Sequence, residues 1–315
     1  MNLKGKEVLV TGGHGFLGRY VCDRLRAAGA KVSAYRRAQY NLEDPADVQR
    51  LFSRVRPHIV VHLAAEVGGI AANKANPGRF FYANMLMGLN VVEAARAFGV
   101  EKLVLVGSTC AYPRLTISPF REENLWLGYP EETNAAYGLA KRELLTLAQG
   151  YREQYGLNAV YLIPTNLYGP GGDFDLQSGH SLHSIIRRIV DATESAASSV
   201  TLWGSGKPTR DYLYVDDCAE AIVKAVASYD GSLAVNLGSG DEISIEALAR
   251  LIASEVGFTG TVHWDKSKPD GQPRRCMDLS RAVRFLDWVP KTTLRNGLRR
   301  TIEAYLRDRA MAVKA

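Results

Sequence analysis

A tyrosine and a lysine lie four residues apart in the segment Tyr137-Gly138-Leu139-Ala140-Lys141. If this segment is helical, both side chains lie on one face, so that the phenol and the ammonium share the same space. A phenol with a pKa of about 10 is a poor acid–base group at neutral pH, and a neighbouring cation favours its phenolate. Ser108 follows an apolar strand pattern, and its hydroxyl can hydrogen-bond a substrate carbonyl oxygen that the phenol would protonate. These residue types predict proton transfer at a substrate carbonyl.

A glycine-rich loop follows the first strand pattern, in Thr11-Gly12-Gly13-His14-Gly15-Phe16-Leu17-Gly18. Gly12 permits a tight turn, Gly15 lets the backbone approach a pyrophosphate, and Gly18 allows close packing of helix on strand. The N-terminus of the following helix supplies amide donors and a partial positive charge. A glycine-rich loop alone is compatible with a simple turn, but between a strand and a helix it predicts dinucleotide binding.

The second strand pattern ends in Tyr35-Arg36-Arg37. An NAD-preferring domain usually has an acidic residue here, which binds the ribose 2′-hydroxyl. Two guanidiniums suit a 2′-phosphate instead. We therefore predict NADP(H) as the cofactor, with Arg37 as the main ligand and Arg36 in support. The alternative is a pair of exposed surface arginines.

The elements that must position these residues alternate between apolar, β-branched runs and helical patterns. Strands are predicted at residues 7–11, 31–35, 57–63, 102–107 and 158–163, and helices at 16–28, 77–98 and 134–155. Such alternation predicts a doubly wound α/β fold with a parallel sheet of Rossmann type. We expect an NADP-binding domain over residues 1–165, which also receives parts of 212–240, and a smaller, interwoven α/β substrate-binding lobe over 166–315. The cleft between them is the expected ligand site.

The composition excludes several other classes of protein. The 315 residues are 46% hydrophobic and 23% charged, which is usual for a globular protein and not for a disordered one. No run of about 20 apolar residues predicts a membrane span, and the first residues lead directly into a strand without a signal-peptide pattern. The four cysteines (22, 110, 218 and 276) have no paired spacing. This favours a cytoplasmic protein without a disulfide framework or a metal site.

The net charge of +6 does not by itself identify a partner. The densest basic clusters are arginine pairs at 36–37, 187–188, 274–275 and 299–300. No basic stripe with interleaved aromatic residues is present, so we do not expect nucleic-acid binding. Recognition of anionic small molecules and a solvated surface are the remaining interpretations.

Over essentially its whole length, the chain resembles the extended short-chain dehydrogenase/reductase family. The glycine loop and Tyr-x-x-x-Lys mark only the broad family, and the specific motifs are AEVGGIAAN at 65–73, GSTCAYP at 107–113, PTNLYGP at 164–170, WGSG at 203–206 and KPDGQPR at 268–274. These motifs are similar to those of members that act as 3,5-epimerase/4-reductases on GDP-4-keto-6-deoxy-mannose. The resemblance implies an NADPH-dependent bifunctional enzyme with a GDP-sugar substrate, and GDP-L-fucose or a close analogue as product. It also implies a homodimer through the helices at 77–98 and 134–155.

The resemblance implies a catalytic role for five residues. Ser108, Tyr137 and Lys141 match the reducing triad, in which Tyr137 protonates the C4 oxygen as NADPH delivers hydride to C4, while Lys141 holds the ribose and lowers the tyrosine pKa. Cys110 and His180 match the epimerisation pair. The hydrogens at C3 and C5 lie α to the C4 ketone, so one group can remove a proton and another can return it on the opposite face. A lone cysteine is more often a small buried hydrophobe, and His183 is the competing histidine.

Binding residues are also implied by the resemblance. Arginine forks suit a diphosphate and an indole can cover a sugar or base, although a place in the core is an equal alternative for Trp203. The substrate-binding residues are Arg188, Trp203, Arg210 and Arg275. The cofactor-binding residues are Gly12, Gly15, Phe16, Leu17, Gly18, Arg36, Arg37, Asn41, Leu42, Ala64, Tyr137, Lys141, Pro164, Asn166, Leu167 and His180.

Several positions depart from the family pattern. Glu66 stands where a lysine is usual, His14 where an arginine is frequent, and Arg275 where a lysine is usual; residues 181–183 replace a Val-Ile-Pro run. The exact sugar therefore stays open, with a GDP-4-keto-dideoxyhexose or deoxyheptose as alternatives. A redox-neutral, NAD-dependent nucleotide-sugar epimerase is a further alternative, against which the arginine pair and Cys110/His180 argue. A non-catalytic NADP-binding protein would leave the triad unexplained.

Overall fold

Six parallel strands form the central sheet of the computed structural model, which describes residues 1–175, 181–268 and 270–314. In chain order the strands are β1 (Glu7–Thr11), β2 (Lys31–Ser33), β3 (Ile59–His62), β4 (Lys102–Val106), β5 (Ala159–Pro164), β6 (Asn166–Tyr168), β7 (Ser199–Trp203), β8 (Thr209–Arg210), β9 (Tyr212–Tyr214), β10 (Val235–Leu237), β11 (Ile243–Ser244) and β12 (Thr261–Asp265). The order across the central sheet is β10-β5-β4-β3-β1-β2, and every neighbouring pair is parallel.

Helices connect and cover these strands. In chain order they are α1 (Phe16–Ala27), α2 (Pro45–Val55), α3 (Ile70–Ala75), α4 (Pro77–Ala97), α5 (Ala135–Tyr155), α6 (Ser181–Glu194), α7 (Val215–Ser228), α8 (Ile245–Val256), α9 (Ser280–Leu286) and α10 (Leu294–Lys314). Short 3₁₀ helices lie at Thr109–Ala111 and Glu122–Trp126. No described helix is long and apolar enough to cross a membrane.

The central sheet is covered on both faces. Strands β3, β4 and β5 are buried along their whole length, which explains why they are continuous apolar runs rather than alternating patterns. One apolar core lies between the sheet and α2, α4 and α5, and a second lies between the sheet and α1, α7 and α9. The prediction of a doubly wound parallel α/β fold is confirmed.

A third apolar core belongs to the C-terminal half of the chain. It contains side chains of α6, α8 and α10 and of the short strands β6, β7 and β9. Three two-stranded pairs frame it: β6 with β9, β7 with β12 and β8 with β11. From the 212–240 segment, α7 and β10 pack on the central sheet. The division at residue 165 stays a prediction.

The largest differences from the predicted elements lie between β2 and α4. Strands β2 and β3 are shorter than the predicted runs at 31–35 and 57–63, and α2 and α3 were not predicted. The start of α2 has a clear sequence signal, because Pro45 takes the first helical position and the Asp44 side chain accepts a hydrogen bond from the Ala46 amide at 2.8 Å.

Candidate active site

The glycine loop connects β1 to α1 through close backbone contacts. Gly12 has φ +70°, and a Cβ there would come within 2.8 Å of the Ala64 amide nitrogen. At Gly18 a Cβ would overlap with the carbonyl oxygen of Gly12, so α1 can approach the loop only because residue 18 is glycine. Gly15 is the N-cap of α1 and has no side-chain cap. The first amides of α1 therefore have no side-chain cap and can donate hydrogen bonds to an anion. A dinucleotide pyrophosphate requires such a set of donors.

Ser108 and Tyr137 meet because α5 packs directly against the segment after β4. A Cβ at Gly138 would overlap with the carbonyl oxygen of Cys110, which shows how close the two backbones are. Tyr137 is buried, and burial raises the pKa of its phenol above the ordinary value. The nearby Cys110 also raises this pKa, whereas a hydrogen bond with Ser108 lowers it. The phenol is therefore protonated at neutral pH, the form that can donate a proton.

Lys141 lies one helical turn after Tyr137 and is 3% exposed. Its Nζ donates a hydrogen bond to the carbonyl oxygen of Val106 at 3.0 Å. Burial lowers the pKa of Lys141 to about 8, so the ammonium form dominates at neutral pH. The net pKa of Tyr137 is raised by burial, so the expectation that Lys141 lowers it stays a prediction.

Cys110 is partly exposed and lies beside a buried cation. Nη1 of Arg275 is 3.9 Å from its sulfur, and Nε of Arg275 donates to Oε1 of Gln272 at 3.1 Å. Gln272 in turn donates to the carbonyl oxygens of Pro113 and Arg114 at 3.2 and 3.0 Å. These contacts join the KPDGQPR motif to the GSTCAYP motif.

Of the two candidate histidines, His183 lies within the described residues. His180, predicted for epimerisation and cofactor binding, lies outside the described residues. His183 is buried, and its ring lies edge-on against Phe16 and Phe174, at centroid distances of 5.9 and 4.9 Å. His183 therefore packs beside the start of α1.

The predicted substrate-binding residues line the other half of the site. Arg210 donates to the carbonyl oxygens of Thr209 and Gln272, each at 2.7 Å. Burial, and then the charge of Arg275, lower the pKa of Arg210 to about 10. Trp203 is 54% exposed, which is inconsistent with a place in the core. Arg188 lies over its ring at 5.5 Å and Lys268 at 5.6 Å.

One cavity of about 910 Å³ connects the glycine loop with these arginines. Every described residue that the sequence predicted for catalysis, cofactor binding or substrate binding lines it. Sequence reasoning missed other lining residues, among which are Glu66, Trp264, Asp270 and Gln272. Glu66, Asp270 and Gln272 lie within recognised motifs, whereas Trp264 lies in none and reaches the cavity because β12 pairs with β7. Within the described ranges, no group of three or more His, Cys, Asp or Glu side chains is placed to hold a metal ion.

The two arginines after β2 have different surroundings. Arg37 contacts Glu43 at 2.7 Å and Glu66 at 2.6 Å, and Arg79 of α4 contacts the same two carboxylates at 2.6 Å each. We call these four residues the rim cluster. Arg36 is exposed, and its guanidinium has no hydrogen bond or ion pair with any described residue. Arg37, the predicted main ligand of a 2′-phosphate, is thus the arginine with carboxylate partners.

A nucleotide-binding sheet joined to a Ser-Tyr-Lys site defines a class of dinucleotide-dependent enzymes. Residues 8–238 match the model of the NAD dependent epimerase/dehydratase family, and the chain belongs to that family, which confirms the family predicted from the motifs.

Within the family, the chain is similar to GDP-L-fucose synthases. It is 40% identical to the GDP-L-fucose synthase of Sinorhizobium fredii over 304 residues, which cover 96% of each chain. Among solved structures, the GDP-L-fucose synthetase of Naegleria fowleri bound to NADP is 29% identical, with a TM-score of 0.89 and coverage of 98% of this chain and 97% of that chain. A GDP-6-OMe-4-keto-L-xylo-heptose reductase of Campylobacter jejuni is 25% identical, with a TM-score of 0.90 and coverage of 98% and 99%.

Proposed function

We propose that this protein is an NADPH-dependent 3,5-epimerase/4-reductase that converts a GDP-4-keto-6-deoxy-hexose to GDP-L-fucose or a close analogue. The observation that carries the proposal is the single cavity that joins the glycine loop, the Ser108/Tyr137/Lys141 group and the arginines of the second lobe. The similarity to GDP-L-fucose synthases and to an NADP-bound relative supports both the substrate class and the cofactor.

The residues around Tyr137 suit the reduction step. When bound, NADPH supplies a hydride for C4 of the sugar. Tyr137 donates its phenolic proton to the C4 oxygen, for which its raised pKa keeps it protonated, and Ser108 hydrogen-bonds the same oxygen. Lys141 lies one helical turn after Tyr137 and donates a hydrogen bond to the Val106 carbonyl oxygen, and its ammonium stabilises the phenolate that remains.

Cys110 suits the epimerisation step. It lies near enough to Tyr137 to raise the pKa of the phenol, so a sugar whose C4 oxygen reaches Ser108 and Tyr137 has its α carbons near the thiol. The Cys110 side chain removes or returns the proton at C3 and C5. The adjacent Arg275 stabilises negative charge beside the Cys110 sulfur. The resemblance assigns the opposite face to His180.

The second lobe suits the nucleotide half of the substrate. Arg188, Arg210 and Arg275 have no carboxylate partner among the described residues, and they bind the diphosphate in this proposal. Trp203 offers an exposed indole face between Arg188 and Lys268. The similarity to a heptose reductase keeps a GDP-4-keto-deoxyheptose as the alternative substrate.

We also propose a homodimer through α4 and α5. These two helices pack side by side and leave large apolar side chains exposed, among them Tyr82 and Leu89 of α4 and Tyr155 of α5. Light scattering after gel filtration should give twice the chain mass of 34.6 kDa. The cytoplasmic location stays a prediction from cysteine usage.

A single assay tests the proposed reaction. Purified protein is mixed with NADPH and GDP-4-keto-6-deoxy-mannose, and NADPH oxidation is followed by absorbance. Net oxidation with GDP-L-fucose as product is the expected result. Conversion without net oxidation would instead identify a redox-neutral epimerase, and oxidation with a heptose substrate only would identify the alternative sugar.

A further inference from the structure

The rim cluster places two carboxylates beside the arginines that face a cofactor 2′-phosphate. Glu66 lines the cavity together with Arg36 and Arg37. Its Oε1 accepts hydrogen bonds from Arg37 and Arg79, each at 2.6 Å, and its Oε2 accepts one from Arg79 at 2.8 Å. Glu43 accepts from the same two arginines. The two positive and two negative charges of the cluster cancel.

We propose that Glu66 is a specificity-determining residue that weakens the preference of this site for NADP(H) over NAD(H). The inference rests on the proposed function, because it concerns how the site reads the ribose of its dinucleotide.

The carboxyl group of Glu66 is ionised at neutral pH. Hydrogen bonds from Arg79, and then from Arg37, hold the pKa of Glu66 below its ordinary value. The carboxylate therefore occupies donors of Arg37 that a phosphate oxygen would otherwise use. A 2′-phosphate carries a charge of about −1.5 to −2 and is repelled by the same carboxylate. A ribose 2′-hydroxyl is uncharged, so only the phosphorylated cofactor is penalised.

Arg36 differs from Arg37 in its surroundings. Because the guanidinium of Arg36 has no partner among the described residues, it keeps its attraction for a 2′-phosphate. Arg37 contributes less than its charge suggests, since two carboxylates already accept its hydrogen bonds. The site thus still binds NADP(H), but the ratio of its affinities for NADP(H) and NAD(H) is smaller than two arginines without carboxylate partners would give.

Direct binding of the two oxidised dinucleotides tests this inference. Titration calorimetry measures the Kd of NADP⁺ and of NAD⁺ for the wild type, Glu66→Gln and Glu255→Gln. We expect Glu66→Gln to lower the Kd of NADP⁺ about tenfold, equivalent to about 1.4 kcal/mol, and to change that of NAD⁺ less than about twofold. Glu66→Ala repeats the test without the amide, and 2′,5′-ADP and 5′-AMP repeat it with fragments of the cofactor.

Glu255→Gln is the matched control. Glu255 also accepts from two arginines, Arg295 and Arg299, but it lies on α8 away from the cavity. The Glu255→Gln variant should leave the affinities for NADP⁺ and NAD⁺ unchanged. A gain in NADP⁺ affinity equal to that of Glu66→Gln would show a long-range charge effect and overturn the inference. An unchanged NADP⁺ to NAD⁺ ratio in both Glu66 variants would overturn it while leaving the proposed function intact. A wild-type protein that binds neither dinucleotide would overturn both.

Discussion

Replacing Lys141 with methionine should stabilise the fold and abolish ketone reduction. Burial lowers the pKa of this lysine from 10.5 to about 8. A difference of one pKa unit between the folded and unfolded states corresponds to about 1.36 kcal/mol, so the buried charge costs the folded state about 3 kcal/mol at neutral pH. Loss of the hydrogen bond to Val106 offsets about 1 kcal/mol of this. The expected net gain in the free energy of unfolding is about 2 kcal/mol.

The effect of Lys141 on the free energy of unfolding depends on pH. The unfolded chain binds the lysine proton below 10.5, whereas the folded protein binds it only below about 8. Wild-type stability therefore falls as the pH falls from 10.5 to about 8, and below 8 this group has no further effect. The advantage of Lys141→Met should be full at neutral pH and should nearly vanish at about pH 10.

Urea unfolding of both proteins, at about pH 7 and about pH 10, measures this advantage. The NADPH oxidation assay should show a loss of activity of about a hundredfold or more, because the phenolate of Tyr137 is no longer stabilised. A variant that is less stable than the wild type at neutral pH would refute the reasoning, and so would an advantage that is equal at both pH values.

The geometry of the site predicts three further outcomes. The kcat/KM for ketone reduction should decline above about pH 8, where Lys141 loses its proton, and a profile that stays flat beyond this pH would contradict that role. Cys110→Ser should abolish solvent-deuterium incorporation at C3 and C5, measured by mass spectrometry, and leave reduction partly intact; unchanged incorporation removes Cys110 from the mechanism. Gly18→Ala should lower the free energy of unfolding by about 1–3 kcal/mol, because its Cβ would overlap with Gly12. Gly78→Ala is the control in thermal unfolding, since nothing lies within 4 Å of its added Cβ, and equal losses in both variants would contradict the steric argument.

The parts of the fold that the sequence predicted well are those with strong local signals. The bounds of β1 and α5 agree with the predicted ones to within a residue, because β1 is a buried apolar run and α5 ends at Gly156, which has φ +70°. The loop between β1 and α1 was recognisable from Gly12, Gly15 and Gly18. By contrast, α2 was not predicted, because its start is marked by the cap residues Asp44 and Pro45 and not by an apolar run.

Pairings between distant residues could not be predicted in the same way. Arg37 and Glu43 are six residues apart, but Glu66 follows β3 and Arg79 belongs to α4, so only the folded sheet brings the rim cluster together. Trp264 likewise reaches the cavity through the pairing of β12 with β7, where it lies opposite Leu202. Neither contact has a fixed spacing along the chain that a motif could record.

The two members of each arginine doublet have different surroundings in the folded protein. In each doublet one arginine has carboxylate partners: Arg37 with Glu43 and Glu66, Arg187 with Asp191, Arg274 with Glu242 and Arg299 with Glu255. The other member of each doublet has no carboxylate partner among the described residues, and three of these, Arg36, Arg188 and Arg275, line the cavity. One arginine of a doublet can thus complete a surface ion pair while its neighbour lines the cavity. Three of the four arginines without a carboxylate partner are therefore available to anions in the cavity, which is where a dinucleotide phosphate and a nucleotide-sugar diphosphate would both need positive charge.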